Sequence, residues 1–252
     1  GKFGKAKQIL IEEFIEGEEM SYFIISDGKT FKKFQTAQDH KRVHEGDTGK
    51  NTGGMGSYSP SGLITKELDE KIINKIIKPT LKALEDIGTE YRGFLYAGLM
   101  IKNNEPYLIE YNVRMGDPEC QTILPKLEND FFEIIDATIN KKLNSITLNW
   151  SQSKSLCVVL CSNGYPENFE NKIEITNIQV LINQCKNDEL IFHAGTMMIN
   201  DKIFSNGGRV LNFVCLSDNF KVSRQKAINL IKKLDWKNGF FRKDIGHKII
   251  KS

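Results

Sequence analysis

Residues 93 to 119 restrict the folds open to this chain more than any other stretch. Gly93 to Ile101 (GFLYAGLMI) is a nearly continuous apolar run, as expected of a central strand covered on both faces. Lys102 to Glu105 turns the chain back into Pro106 to Glu119 (PYLIEYNVRMGDPE), which predicts a hairpin at the heart of a sheet. Alternation along the second strand sends Leu108, Glu110, Asn112 and Arg114 to one face and Ile109, Tyr111 and Val113 to the other. A Glu with an Asn two residues on offers hard oxygen ligands of the kind Mg²⁺ prefers, with positions left for phosphate oxygens. Arg114, further along that face, is aimed at whatever anion the metal holds. A solvated edge strand explains the alternation equally well. The Gly116-Asp117-Pro118-Glu119 turn weighs against it by bringing two more carboxylates alongside.

Upstream, Gln8 to Phe14 (QILIEEF) and Met20 to Ser26 (MSYFIIS) read as strands joined by the acidic turn Glu16 to Glu19. A tight turn at Asp27-Gly28 leads into a third strand, Thr30 to Phe34. Gln38 to Pro60 has five glycines, mixed charges and no apolar period, which predicts a long loop, functional or disordered. His40, Lys41 and Arg42 cluster just before its glycines, as a phosphate or carboxylate cradle requires. Thr65 to Ile87 has helical spacing, with Pro79 expected to kink or divide it. A second helix is expected from Leu127 to about Asn140, burying Phe131, Ile134, Ile135 and Ile139.

Near Asn149-Trp150-Ser151 long helices give way to short strands, which places a domain boundary there. Strands are expected at Ser155 to Ser162, Ile173 to Ile182, Glu189 to His193, Thr196 to Phe204 and Arg209 to Leu216, with a last amphipathic helix from Phe220 to Leu234. The formal charge of +3 comes from 35 basic and 32 acidic residues, too slight and too mixed to predict a nucleic-acid binder. The five cysteines form no CxxC pair, which fits reduced thiols in a cytoplasmic protein. No apolar run approaches the roughly 20 residues of a membrane span.

The blocks IEEFIEGEE, QDHKR, DTGKNTGGMGSYSP, GFLYAGLM, IEYNVRMGDPE, FHAGT, GGRV and RKDIG stand in this order between about Ile11 and Gly246. Together they resemble the phosphoribosylamine–glycine ligase (glycinamide ribonucleotide synthetase) family of ATP-grasp enzymes. The resemblance implies an α+β fold, in which an ATP-grasp domain with an antiparallel sheet and flanking helices precedes a smaller strand-rich α+β C-terminal domain. The expected division is a lid remnant at 1–14, a catalytic part at 15–150 and a C-terminal domain at 151–252. The implied activity is ATP-dependent ligation of glycine to 5-phosphoribosylamine through glycyl phosphate, in a cytoplasmic monomer that binds neither nucleic acid nor membrane.

By the same resemblance, Glu110 and Asn112 would bind Mg²⁺ or Mn²⁺. Arg114 and Lys41 would hold the transferring phosphoryl group, and Asp117 and Glu119 would orient the substrate. Glu12, Glu13, Phe14 and Ile15 match a hinge that reads the adenine edge, and Glu19 would accept from the ribose of ATP. Arg42, Asp47, Thr48, Gly49, Asn51, Gly53 and Gly54 would form the substrate loop. The family's N-terminal domain and glycine-rich lid have no counterpart here, so a chain cut inside a domain with impaired turnover is expected. His193, Arg209 and Arg242 to Gly246 carry no derived role. Another ATP-grasp carboxylate–amine ligase, a noncatalytic nucleotide-binding remnant and a basic interaction module are the competing readings.

Overall fold

The computed structural model describes residues 8–250. In chain order the first part contains β1 (Glu18–Asp27), β2 (Phe31–Lys33), β3 (Gln38–Asp39), β4 (Arg42–His44), β5 (Thr48–Asn51), β6 (Gly56–Ser59), α1 (Lys66–Ile72), α2 (Lys78–Asp86), β7 (Arg92–Lys102), β8 (Glu105–Asn112), α3 (Glu119–Ile123) and α4 (Phe131–Ile139). The second part contains β9 (Lys154–Ser162), α5 (Ile178–Gln184), β10 (Glu189–His193), β11 (Thr196–Ile199), β12 (Lys202–Ser205), β13 (Arg209–Ser217), α6 (Phe220–Leu234) and β14 (Gly239–Phe240). No helix among the described residues is long and apolar enough to cross a membrane.

The apolar run forms β7, at the centre of an antiparallel sheet ordered β2-β1-β7-β8. One face of this sheet buries Tyr22, Ile24, Leu95 and Leu99 against Leu68, Ile72 and Ile77 of the α1–α2 rod. The other buries Phe23, Ile25 and Tyr96 against Ile123 and Ile134. Thr65 caps α1 by accepting from the Leu68 amide at 3.1 Å. The expected break at Pro79 is replaced by a π turn over Ile73–Ile77, where the Lys78 amide reaches back to the Ile73 carbonyl. That wider pairing carries the helix past a residue with no N–H to give. In α4, Phe131 and Ile139 are exposed rather than buried.

A second sheet runs β10-β13-β9-β6-β3, with β14 also on β9. Its middle includes a strand from the first part of the chain, because β6 pairs with β9 from Gly56↔Val158 to Ser59↔Ser155. The core around it mixes Val43, Met55 and Tyr58 with Val158, Phe213 and Ile231.

Further sequence expectations change, among them Thr196 to Phe204, which is the hairpin of β11 and β12 rather than one strand. Gln8 to Phe14 has strand composition but forms no ladder among the described residues, and Ile9, Leu10, Ile11 and Phe14 stand exposed. A strand needs an edge to pair with, and composition cannot supply one. Gln38 to Pro60 is not a loop but four short strands, invisible to periodicity because each is two to four residues long. Ile173 to Ile182 contains α5 instead of a strand: Asn177 takes a left-handed conformation, and Ile178 and Leu181, one helical turn apart, are the buried residues.

Candidate active site

The sheet face carrying Ser21 and Tyr96 opens into a small cleft of about 140 Å³, lined by Glu19, Asp39, Lys41 and Glu110 among others. Lys41 Nζ lies 2.5 Å from Glu19 Oε2. Burial alone would lower the Lys41 pKa, but Asp39, Glu19 and Glu110 around it prevail and hold it above the usual lysine value. Asp39 moves the other way. Burial, then repulsion from Glu119 and Glu19, outweigh Lys41 and push its carboxyl up to about 7. Glu119 is buried and accepts from Ser21 Oγ at 3.0 Å, while Ser21 Oγ also meets the Tyr96 hydroxyl at 3.0 Å.

Along β8, Asn112 Nδ2 donates to Glu110 Oε1 at 3.0 Å. Arg114 donates to the Asn112 side-chain oxygen at 3.4 Å and to the Met115 carbonyl at 3.0 Å. The expected row of Glu110, Asn112 and Arg114 is therefore present. Strict alternation is not. The β7–β8 register slips between Gly98↔Glu110 and Leu99↔Leu108, leaving Ile109 as an extra residue, and Ile109 and Glu110 both line the cleft. A bulge of this kind re-aims side chains that a regular strand would send apart.

Asp117 sits in a neighbouring cluster. One Arg209 nitrogen, Nη1, donates to the carbonyls of Gly53 at 2.8 Å and Asp117 at 2.9 Å, and to Asp117 Oδ1 at 3.2 Å. Gly54 has φ +115°, and a Cβ there would lie 2.6 Å from Pro118 Cδ, so the close approach of this loop to the Asp117 turn depends on glycine. Thr52 ties the loop back through its amide and hydroxyl to the Lys41 carbonyl. Gly53 and Gly54 thus reach the turn that follows β8, and Arg209, without a role in the sequence reading, is what joins them.

Asp47, Thr48 and Gly49 lie elsewhere, at and beside the tip of the β4–β5 hairpin. Asp47 accepts from the buried Arg242 at 2.8 Å and faces His247 and Lys248. Arg242 also grips Asp244 through both carboxylate oxygens and donates to the Arg42 carbonyl at 3.0 Å. Burial would raise the Asp47 pKa, but the bond from Arg242 and the cations around it hold it below the ordinary value. Arg42 folds back onto the Gly49 carbonyl at 2.7 Å, and Asn51 is exposed beside it. These residues do not line the cleft.

The grouping of His40 with Lys41 and Arg42 also separates. His40 is buried, its Nε2 accepting from the Gly246 amide at 3.1 Å. Burial, reinforced by Arg242, drives its pKa down to about 3, so it is neutral and cannot serve as a cation in an anion cradle. Glu12, Glu13 and Phe14 are exposed and Ile15 is half-buried, in the segment that forms no ladder. Asp39, Ser21, Tyr96 and Ile109 were missed. For Asp39 a signal existed, since it lies two residues before Lys41 and so shares its face of an extended chain.

The phosphoribosylglycinamide synthetase ATP-grasp (A) domain matches residues 1–120, and the C domain of the same synthetase matches residues 155–248. The phosphoribosylamine–glycine ligase of Brucella melitensis biotype 1 is 40% identical over 99% of this chain, which covers 58% of that protein. The chloroplastic ligase of Arabidopsis thaliana is 41% identical over the whole chain, which covers 48% of it. The chain thus spans about half the length of these relatives. A crystal structure of phosphoribosylamine–glycine ligase from Thermotoga maritima superimposes with a TM-score of 0.80 at 34% identity, over 93% of this chain and 57% of the other. A phosphoribosylglycinamide synthetase from Anaerococcus prevotii, at 14% identity and a TM-score of 0.60, shows the same fold. Fold and both domain matches agree, and the chain belongs to the phosphoribosylglycinamide synthetase family, an ATP-grasp ligase family.

Proposed function

We propose that this chain carries the nucleotide and metal side of a ligase that joins glycine to 5-phosphoribosylamine at the expense of ATP. The observation that supports this most is the Lys41–Glu19 pair facing Glu110, with Asn112 and Arg114 continuing along the same strand, in a chain of this family. In the proposed reaction the γ-phosphoryl group passes from ATP to a glycine carboxylate oxygen, releasing ADP. The phosphoribosylamine nitrogen then attacks the acyl carbon, the C–O bond to phosphate breaks, and the amine loses a proton to give glycinamide ribonucleotide.

Glu110 and Asn112 suit a divalent ion that brings its own phosphate oxygens. They offer a carboxylate and an amide oxygen with hard character, and Mg²⁺ sites commonly use one or two protein ligands. When bound, such an ion would neutralise charge building up on the phosphates. Arg114, held at Asn112 and the Met115 carbonyl, keeps a guanidinium beside that position. Lys41 is kept protonated by the carboxylates around it and supplies a second fixed cation for the transferring group. Ile109, exposed beside the cleft at the bulge, gives it an apolar wall suited to the adenine ring. Asp39, at about 7, is a carboxylate able to take a proton near neutrality. Glu12 to Ile15 would complete the adenine side, and a cytoplasmic location and monomeric state belong to the same proposal.

Product formation from ATP, Mg²⁺, glycine and 5-phosphoribosylamine, followed by mass, tests it in the expressed protein. Glu110→Gln is expected to lower turnover by about a hundredfold or more, the scale of losing one charge-stabilising group. ADP release that is indifferent to glycine, or unaltered turnover in E110Q, would rule the assignment out.

A further inference from the structure

The opposite face of β1 borders a second and larger cavity. Ser21 faces the cleft, whereas Tyr22 next to it lines a space of about 600 Å³ at the free edge of β2, walled by Lys32, Lys33, Gln35, Lys66 and Trp150. This is within the size range of small-molecule sites. Lys33 is engaged with Asp69, while Lys32 and Lys66 form no ion pair among the described residues.

Beneath this cavity lies Lys126, whose side chain is almost wholly buried. Gln35 is the link: its side chain lines the cavity, and its amide oxygen takes the Lys126 ammonium at 3.4 Å. The chain on either side is fixed to the same wall, since Leu127 bridges Trp150 and the Ser151 amide donates to the Lys126 carbonyl at 2.8 Å. An ammonium has three donors. Here they have one long bond, and no carboxylate lies within ion-pair distance among the described residues. Burial and the neighbouring Lys154 pull the Lys126 pKa down to about 8. A buried cation without a counter-charge is expensive to hold, and an anion in the adjoining cavity would act on it only across Gln35.

The remaining wall describes the rest of the ligand. Trp150 has Phe34 packed edge-on against it at 5.2 Å, and Pro60, Ile64 and Leu148 add apolar surface. Lysines beside an indole suit a phosphate attached to a planar ring. We propose that this cavity is a second ligand site, separate from the cleft, that binds a nucleoside monophosphate with its phosphate between Lys32 and Lys66 and its base at Trp150.

The chain has two tryptophans, so Trp236→Phe leaves Trp150 as the sole indole reporter. Titrating that variant with AMP should give a saturable change in its emission, and the Lys32→Gln/Lys66→Gln pair should weaken the response by about tenfold or more. Lys66 is exposed and Lys32 half-buried, both outside the packed core, so a weaker response in the double variant reads the site rather than unfolding. Inorganic phosphate and adenosine should each bind more weakly than AMP, and Glu110→Gln should leave the response unchanged. The proposal fails if Trp150 does not respond at millimolar AMP, if the double lysine variant responds as the parent does, if phosphate alone binds as tightly, or if Glu110→Gln abolishes the signal and so places the nucleotide in the cleft.

Discussion

Asp39, His40 and Lys41 are consecutive, yet they face different surroundings, and the reason is the extended backbone they share. Asp39 and Lys41 turn to the cleft, and His40 turns into the packing beneath Gly246. A helical or looped reading of this stretch would have left all three at one surface; its short strand was hidden among glycines. The burial of His40 has a measurable consequence. An unfolded chain takes up a proton at the ordinary histidine value of 6.5, while the folded chain refuses it until about pH 3. Stability is therefore complete above the upper value and falls as pH drops through that window, by up to about 1.4 kcal/mol per unit. Urea unfolding between pH 7 and 5 should show this slope, and His40→Gln, which keeps an acceptor for the Gly246 amide, should flatten it. Glu110, Asn112 and Arg114 were legible because three polar residues at a spacing of two stand out in an apolar strand. Ile109 was not, because a bulge arises from how β8 meets β7, and one strand's sequence does not record it.

The β4–β5 hairpin shows how an element read for chemistry can also hold structure through one of its side chains. Its glycines and charges match a substrate loop, but Asp47 is spoken for by Arg242, and the hairpin is held from the far end of the chain. Arg242→Met would strand Asp47 and Asp244 without their cation, and we expect a loss of about 3 kcal/mol in chemical denaturation, as for one partner removed from a buried pair. Arg242→Lys should recover only part of it, since a single ammonium cannot reproduce the fork that grips both Asp244 oxygens. Gly54→Ala meets both a left-handed backbone and the Pro118 ring, and should cost about 2 kcal/mol or more while loosening the Arg209 bridge. Helix α6 was legible in its approximate extent because fifteen residues give a period time to repeat; α5, at seven residues rich in β-branched side chains, could not announce itself.

In the molecule as a whole, a change in composition near residue 150 suggests two folding units, and the proposed division at 150/151 follows it. The β6–β9 ladder crosses that point, and Met55 and Tyr58 share a core with Val158 and Phe213. Calorimetry is therefore expected to show one unfolding transition; two well-separated ones would mean that the ladder contributes little coupling. Pairing across so much chain is what a local reading of sequence cannot see, whereas β1, β7 and β8, close in sequence or strongly apolar, were visible in outline. The clasp on the hairpin extends this logic into time. Arg242 reaches back 195 residues to Asp47, and the Gly246 amide reaches back 206 to His40. Loops of that length close late in folding, and during synthesis the clasp does not yet exist when the cleft strands emerge. The residues flanking Lys41 thus gain these two contacts only after residues 242 to 246 have left the ribosome: a product ending short of residue 242 would carry the cleft side chains and lack the clasp on the hairpin.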